Sequence, residues 1–353
     1  VTASAANRLR DDTGDGPLLE AHAVTKAFPV GGALVGRGGG SVRAVDGVDL
    51  EIMPGETLGL VGETGCGKST LARCLARLYP LTSGSVVFNG HDISTLSRRR
   101  LRPVRREVQM IFQDPYGSLN PRRRVGSIIG DGLAIHGVAQ GKDRRRQVQE
   151  LMALVGLNPE HYNRFPADFS GGQRQRIGVA RALSLRPKLI ICDEPVSALD
   201  VSIQAQVINL LVDLQEELGL TYLFITHDLS VVRHVSRRIA VMYLGKIVEV
   251  APAEDLFEAA RHPYTRALLS ALPPADPDAA DSRERIILSG DLPSPVDPPS
   301  GCRFHPRCPR AQEDCASVEP ALVPVLGDPA DHPSACHHPL RFGEDLTSGV
   351  TPR

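Results

Sequence analysis

Gly62-Glu63-Thr64-Gly65-Cys66-Gly67-Lys68-Ser69-Thr70 is the stretch on which the fold turns. It fits G-x-x-x-x-G-K-S/T, a phosphate-binding loop. Thr57-Leu58-Gly59-Leu60-Val61 before it reads as a short buried strand, and Ser69 to Leu78 after it has helical spacing. The motif needs that strand–loop–helix context. Its glycines let the backbone turn tightly and bring N–H groups close to an anion. The helix that starts there adds the positive end of its dipole. Lys68 is expected to reach the β- and γ-phosphates of a nucleotide, and the Ser69 hydroxyl to ligate Mg2+.

The chain has 353 residues, enough for a full core and more than one domain. A formal charge of −1 gives no general field for nucleic acid or anionic lipid, so no nucleic-acid partner is expected. Val1 to Gly16 is polar with no apolar centre; it does not read as a secretory signal, and residues 1–17 are expected to be disordered. No run of about 18 apolar residues occurs, so no helix is expected to span a membrane. The seven cysteines are expected to be reduced, metal-bound or buried, as in the cytosol.

Leu18 to Val24 alternates as a strand, and Thr25 to Pro29 reads as a turn. Phe28 has two open readings: a face for adenine to stack on, or a small core aromatic. Val42 to Ile52 reads as strands around a turn, and Met53-Pro54-Gly55-Glu56 as a second turn. Thr82-Ser83-Gly84 is a turn and Ser85 to Gly90 a strand. The basic runs Arg98 to Arg106, Arg122 to Arg124 and Arg144 to Arg146 read as solvated faces. Glu107 to Phe112 is a buried strand ending at Gln113, where an open α/β sheet places its ligands. Val125 to Gly156 has helical spacing. Ser170-Gly171-Gly172-Gln173 leads into a helix, Ile177 to Leu185, that Ser170 can cap, a second anion-binding helix start. One chain cannot readily aim both helix starts at one phosphate, which hints at a site shared by two subunits. Leu189 to Cys192 is apolar and runs into Asp193 and Glu194. Asp193 can hold Mg2+, and Glu194 can orient or deprotonate a water. After Ile203 to Leu218, a helix, the strand Thr221 to Thr226 ends at His227, which has two open readings: a bond to a phosphate oxygen or water, or a structural histidine.

Together the phosphate loop, Gln113, Ser170-Gly171-Gly172-Gln173, Asp193-Glu194, Ser197-Ala198-Leu199-Asp200 and His227 resemble the ATPase subunits of ABC transporters, over roughly residues 18–250. Phe112-Gln113-Asp114-Pro115-Tyr116-Gly117-Ser118-Leu119-Asn120-Pro121, Pro195 to Ser202 and His262-Pro263-Tyr264-Thr265-Arg266-Ala267-Leu268 resemble the oligopeptide/dipeptide permease branch. The resemblance implies an α/β P-loop NTPase cassette: a mixed-sheet core, a helical subdomain near 114–180 and an antiparallel β subdomain, within 18–270. It implies a head-to-tail dimer closing on two ATP molecules, each between one chain's phosphate loop and the other's Ser170 segment. Within that dimer Asp200 contacts the opposite loop, Gln113 senses Mg2+ and water, Phe28 stacks on adenine, Glu194 activates water and His227 holds the γ-phosphate. The implied partners are integral-membrane permease subunits, a second ABC ATPase subunit (homo- or heterodimer) and, indirectly, an extracytoplasmic substrate-binding protein. The implied place is the cytoplasmic face of the cell membrane, peripherally. Uptake of peptides is the implied task. Uptake of nickel complexes or glutathione, and a soluble non-transport ABC ATPase, are the alternatives.

Pro273 to Asp281 reads as a linker, and Arg285 to Leu288 as a strand-like piece within an extension, 271–353. Cys302, Cys308, Cys315 and Cys336 follow, spaced C-x5-C-x6-C-x20-C. This is not zinc-ribbon spacing, yet four thiols in a short Pro-rich segment suggest that a metal supplies folding energy. The extension resembles that of the same permease ATPases, some of which bind an iron-sulfur cluster, [4Fe-4S], through four such cysteines. The cluster, a four-thiolate zinc site (Zn2+) and free thiols stay open, and His305, His332, His337 or His338 could replace a ligand. Cys66 is either a small space-filling residue or a thiol with thiolate character at the helix start.

Overall fold

The computed structural model describes residues 16–29, 41–114, 116–272, 286, 288, 290–341, 344 and 346. The core is an eight-stranded sheet in the order β11-β12-β10-β9-β3-β8-β7-β6. Its centre is parallel: β3 (Thr57–Val61) lies between β8 (Thr221–Ile225) and β9 (Arg238–Tyr243), and β7 (Leu189–Asp193) lies between β8 and β6 (Val108–Ile111). β3, β7 and β8 are buried at every position. Continuous apolar runs of this kind are what helices on both faces of a parallel sheet require.

The register does the work of assembly. Ile111 pairs with Cys192, Asp193 with Ile225, and Ile225 with Leu60. The segments that continue β6, β7, β8 and β3 therefore leave the sheet along one edge. These carry Gln113, Glu194, His227 and the phosphate loop, at the carboxyl ends where such sheets bind ligands.

A second sheet, β2-β1-β4-β5, is antiparallel. β1 (Leu19–Pro29) continues through the expected turn at Thr25 to Pro29. Register shifts between Ala21 and Ala27 absorb the irregularity as bulges, with Ala23 at φ +46°. β2 (Ser41–Ile52) is likewise one strand, bent at Gly47 (φ +66°) rather than broken there. β4 (Ser83–Phe88) starts inside the expected turn at Thr82 to Gly84; β5 (His91–Asp92) is its partner.

Helix α1 (Lys68–Leu75) follows the phosphate loop and ends a turn before the expected Leu78. α2 (Leu101–Glu107) leads into β6. α3 (Val125–Ile135), α4 (Gly141–Leu154) and α5 (Gly171–Leu183) pack around Ile129, Leu133, Val148, Met152 and Ile177. The basic runs lie mainly on exposed faces, and Arg146 pairs with Asp143 and Glu150 along α4. α6 (Val201–Leu218) starts two residues before the expected Ile203. α7 (Leu229–Val235), α8 (Ala253–Ala259) and α9 (Pro263–Ser270) complete the helices before the extension.

The extension joins the core through β10 (Lys246–Pro252), antiparallel to β9. A short α10 (Glu313–Ser317) and the two-residue strands β11 (Val323–Pro324) and β12 (Pro333–Ser334) follow, and Ser334 pairs with Glu249 of β10. Glu249 is fully buried. Its carboxylate accepts the Arg261 N–H at 2.6 Å and the His262 N–H at 3.0 Å, and lies 2.7 Å from His332 Nε2. A buried carboxylate is tolerated when its oxygens are this fully occupied, and breaking the set costs about 3 kcal/mol. His332 is thereby committed to Glu249 and away from the cysteines. Of the expected strand-like piece, Arg285 and Ile287 lie outside the described residues. Ile286 and Leu288 are not in a strand and pack against Ala267, Leu340 and Leu346. The expected linker at Pro273 to Asp281 and residues 1–15 also lie outside the described residues.

Candidate active site

The phosphate loop is shaped by glycines that nothing else could replace. Gly62 sits at φ +151° and Gly67 at φ +111°. A Cβ at Gly62 would come within 2.1 Å of the Met242 carbonyl, and one at Gly67 within 2.0 Å of the Ala44 carbonyl. α1 begins at once after Gly67, with no acidic residue in its first turn, so its N–H groups remain for an anion. Lys68 folds back inside the loop. Its ammonium donates to the carbonyls of Gly62 at 2.7 Å and Glu63 at 3.0 Å. The loop borders a cleft of about 630 Å³ that Gln113, Glu194 and His227 also line.

Two acids stand at the end of β7 in different states. Asp193 is fully buried, and its Oδ1 accepts the Ser69 hydroxyl at 2.6 Å. Arg73, which the sequence reading passed over, approaches its Oδ2 to 3.7 Å, too long for a hydrogen bond. The buried Oδ2 therefore has no hydrogen-bond donor. Burial pushes the carboxyl of Asp193 up, against the opposing pull of Ser69 and Arg73. A hydroxyl and a carboxylate already in contact, with one buried oxygen spare, fit a hard divalent cation such as Mg2+.

Glu194 faces the cleft. Its backbone is left-handed, φ +47°, a conformation rare for a residue with a side chain. Its N–H donates to the Ile225 carbonyl, which fixes the turn. Its Oε2 accepts from Gln113 Nε2 at 2.7 Å, and its Oε1 lies 3.5 Å from His227 Nδ1. Gln113 and His227, which the sequence placed at two other strand ends, thus converge on the Glu194 carboxylate.

Other expected residues lie apart. Phe28 is half-buried, packs edge-on against Tyr79 at 5.8 Å and sits under the Lys26 ammonium at 5.0 Å; it is not among the residues lining the cleft. Ser170 caps α5 in a capping box: its hydroxyl accepts the Gln173 N–H at 3.3 Å, and Gln173 Oε1 accepts the Ser170 N–H at 3.1 Å. Gly172 leaves room for Ile203. Asp200 precedes α6 as its cap residue. Neither helix start lines this chain's own cleft, although Ser197 and Ala198 do. Cys66 is 1 % exposed, and burial pushes its thiol up despite the nearby Lys68 ammonium. Of the two readings, burial favours the small space-filling residue over thiolate character: desolvation outweighs the helix start.

Tyr264 and Arg307 also reach the loop. The Tyr264 hydroxyl accepts the Glu63 N–H at 2.9 Å, and Arg307 Nη1 donates to the Glu63 carboxylate at 2.9 Å. Tyr264 lies in a segment singled out above, but nothing local in the sequence points it at the loop.

Cys302, Cys308, Cys315 and Cys336 line one small cavity of about 10 Å³, with His262, His305, His337 and His338 also on its wall. Burial pushes the Cys308 thiol up to about 11 and Cys336 up to about 12. His262 is fully buried and is pushed down to about 4, so it is neutral. His305 Nδ1 lies 2.9 Å from the Cys302 carbonyl, and His337 Nε2 2.9 Å from the Val318 carbonyl. Among the described residues, one group of three possible ligand atoms lies mutually within 4.8 Å: Asp314, Cys315 and His338.

Three comparisons bear on this geometry. Residues 45–197 match the ABC transporter family model, and residues 248–315 match the oligopeptide/dipeptide transporter C-terminal region. The chain is 54% identical over 321 residues to the oligopeptide transport ATP-binding protein AppF of Bacillus subtilis, covering 91% of this chain and 97% of that protein. It is 49% identical over 325 residues to the di/tripeptide transport ATP-binding protein DppF of Pseudomonas aeruginosa, covering 92% and 98%. A solved dimeric ATP-binding cassette in a post-hydrolysis state, bound to ADP and Pi, superimposes with a TM-score of 0.59 at 29% identity, over 67% of this chain and 98% of that one. The chain therefore belongs to the ATP-binding proteins of the ABC transporter family, in the group carrying the oligopeptide/dipeptide C-terminal region.

The buried, protonated thiol of Cys66 gives a first test. At pH 8, below its raised pKa, Cys66 in native protein is alkylated by iodoacetamide at least about a hundredfold more slowly than in urea, with or without nucleotide. Mass spectrometry after timed quenching measures this. Labelling of Cys66 at the unfolded rate contradicts the assignment.

Proposed function

From this membership we propose that the chain is the ATP-hydrolysing subunit that powers peptide uptake through an ABC importer. The observation that carries the reading is the Glu194 carboxylate, held between Gln113 and His227 at the rim of the phosphate-loop cleft. The names of the relatives support a peptide, di-, tri- or oligopeptide, over a nickel complex or glutathione. The permease-type C-terminal region supports a transport ATPase over a soluble one.

The residues divide the chemistry as follows. The amides of Gly65, Cys66, Gly67 and Thr70, with Gly62, Glu63 and Thr64 shaping the loop, cradle the phosphates of ATP. Lys68 turns from its own loop carbonyls to the β- and γ-phosphates, offsetting charge as the transition state forms. Ser69 and Asp193 hold Mg2+, with Gln113 beside them. That ion supplies Lewis-acid neutralisation when bound. Glu194 accepts the proton of the attacking water, and His227 orients the γ-phosphate. In a closed dimer, Ser170, Gly171, Gly172, Gln173 and Asp200 face the nucleotide on the opposite chain. Their absence from this chain's own cleft, and the dimeric form of the ADP-bound cassette, support that division. Phe28 stacks on adenine after a shift from Tyr79. The subunit works with integral-membrane permease subunits and a second ATPase subunit, peripherally at the cytoplasmic face of the membrane. Among the described residues no helix is long and apolar enough to cross a membrane. We divide the chain into a cassette at 18–270 and an extension at 271–353.

Glu194→Gln is expected to lower ATP turnover by at least about a hundredfold while leaving ATP binding within about threefold. Phosphate release and fluorescent-nucleotide titration measure the two. Turnover near wild type contradicts the role given to Glu194.

For the four cysteines we propose a [4Fe-4S] cluster. A zinc ion bound by thiolates at about 2.3 Å draws their sulphurs to about 3.8 Å apart. Here no three of the four thiols are mutually within 4.8 Å, although all four line one cavity. The four thiols around one cavity, three of them in the stretch that matches the oligopeptide/dipeptide transporter C-terminal region, support the cluster. The Asp314, Cys315 and His338 group supports a zinc site as the second reading. Anaerobically purified protein is expected to contain about four iron per chain, with a brown chromophore lost in Cys302→Ser. About one zinc per chain and no colour contradicts the cluster.

A further inference from the structure

The loop between the first two cysteines of the extension ends on the nucleotide site. Cys302-Arg303-Phe304-His305-Pro306-Arg307-Cys308 carries two arginines, both largely buried. Arg307 donates to both carboxylate oxygens of Glu63, at 2.9 and 3.2 Å, and approaches the Tyr243 hydroxyl at 3.5 Å. Arg303 donates to the Asp46 carboxylate and to the Leu244 carbonyl. Phe304, between them, is 1 % exposed and packs against Tyr243 and Tyr264, each at 5.4 Å between ring centres.

Each contact leads into the phosphate loop. Glu63 is the loop's second residue and is held at three points. Its N–H goes to Tyr264, its carboxylate to Arg307, and its carbonyl to the Lys68 ammonium. The Arg303 contacts act one bond further away. Asp46 donates its N–H to the Gly245 carbonyl, and Gly245 donates its N–H to the Cys66 carbonyl. The same short loop therefore braces the phosphate loop at Glu63 and at Cys66, from one side. Charge-assisted bonds in a half-buried setting are strong enough to fix a glycine-rich segment that would otherwise sample many conformations.

We propose that the Cys302–Cys308 loop is a clamp that pre-organises the phosphate loop, with Arg307 as the principal positioning residue and Glu63 as the point it grips. The clamp rests on the reading of the cleft as an ATP site. It makes the order of the cysteine segment and the affinity for nucleotide reciprocally linked. A loop fixed before ATP arrives binds it without the cost of ordering.

The experiment compares full-length wild type, Arg307→Met, Glu63→Met and the double variant. Hydrogen exchange of nucleotide-free protein over residues 62–68 is expected to speed up at least about tenfold in Arg307→Met, while β3 and β7 keep their protection. Binding of MgATP weakens about five- to tenfold in each single variant. The double variant is no weaker than the worse single, because both break one contact. Unchanged exchange in Arg307→Met overturns the clamp whatever the nucleotide data show. So do additive effects in the double variant. Should Arg307→Met fail to fold, Glu63→Met breaks the same contact from the other side and carries the same expectations. Wild-type protein that shows the tight loop but does not bind MgATP overturns the ATP reading rather than the contact network. It also removes the clamp's role in nucleotide binding.

Discussion

The Lys68 ammonium is almost fully buried inside the loop that its own backbone begins, and two loop carbonyls accept its protons. A buried cation costs several kcal/mol unless its donors are met, so this arrangement must be matched by the surroundings. The loop can offer its carbonyls inward only because Gly62 and Gly67 adopt backbones closed to other residues, packed against the Met242 and Ala44 carbonyls. Those carbonyls come from β9 and β2, so both sheets must be in place before the loop is. The site is thus a consequence of the whole assembly rather than of nine residues. Lysine is a suitable group for it: a compact point charge on a flexible stem, able to exchange carbonyls for phosphate oxygens without moving the backbone.

The parallel sheet supplies the other constraint. With β6, β7, β8 and β3 in register, the residues that follow them need no long loops to meet. Glu194 illustrates the cost. Its left-handed backbone is unfavourable by about 1–3 kcal/mol, yet it turns the carboxylate away from Asp193 and toward Gln113 and His227. Two adjacent acids thereby take separate tasks, one buried on Ser69 and one at the cleft.

What the sequence made legible follows from locality. The strand Thr57–Val61, the phosphate loop and the Ser170 cap are encoded by neighbouring residues, and the structure has all three. β1 and β2 were harder. Their bulges look like turns in one dimension, and only pairing across the sheet keeps the strands continuous. Arg73 on Asp193, Arg307 on Glu63 and His332 on Glu249 could not be read at all, since the partners are 120, 244 and 83 residues apart. The thiol of Cys66 shows a weighing that sequence cannot perform: the helix start and Lys68 favour thiolate, and burial overrides them.

These threads meet in one claim, that the buried ammonium of Lys68 is the phosphate ligand of an ATPase. The direct test is Mg2+-dependent ATP hydrolysis by wild type beside Lys68→Ala, with unfolding midpoints taken on both. The account predicts hydrolysis that requires Mg2+ and falls at least about a hundredfold in a variant that remains folded. Equal rates in the two folded proteins would contradict it.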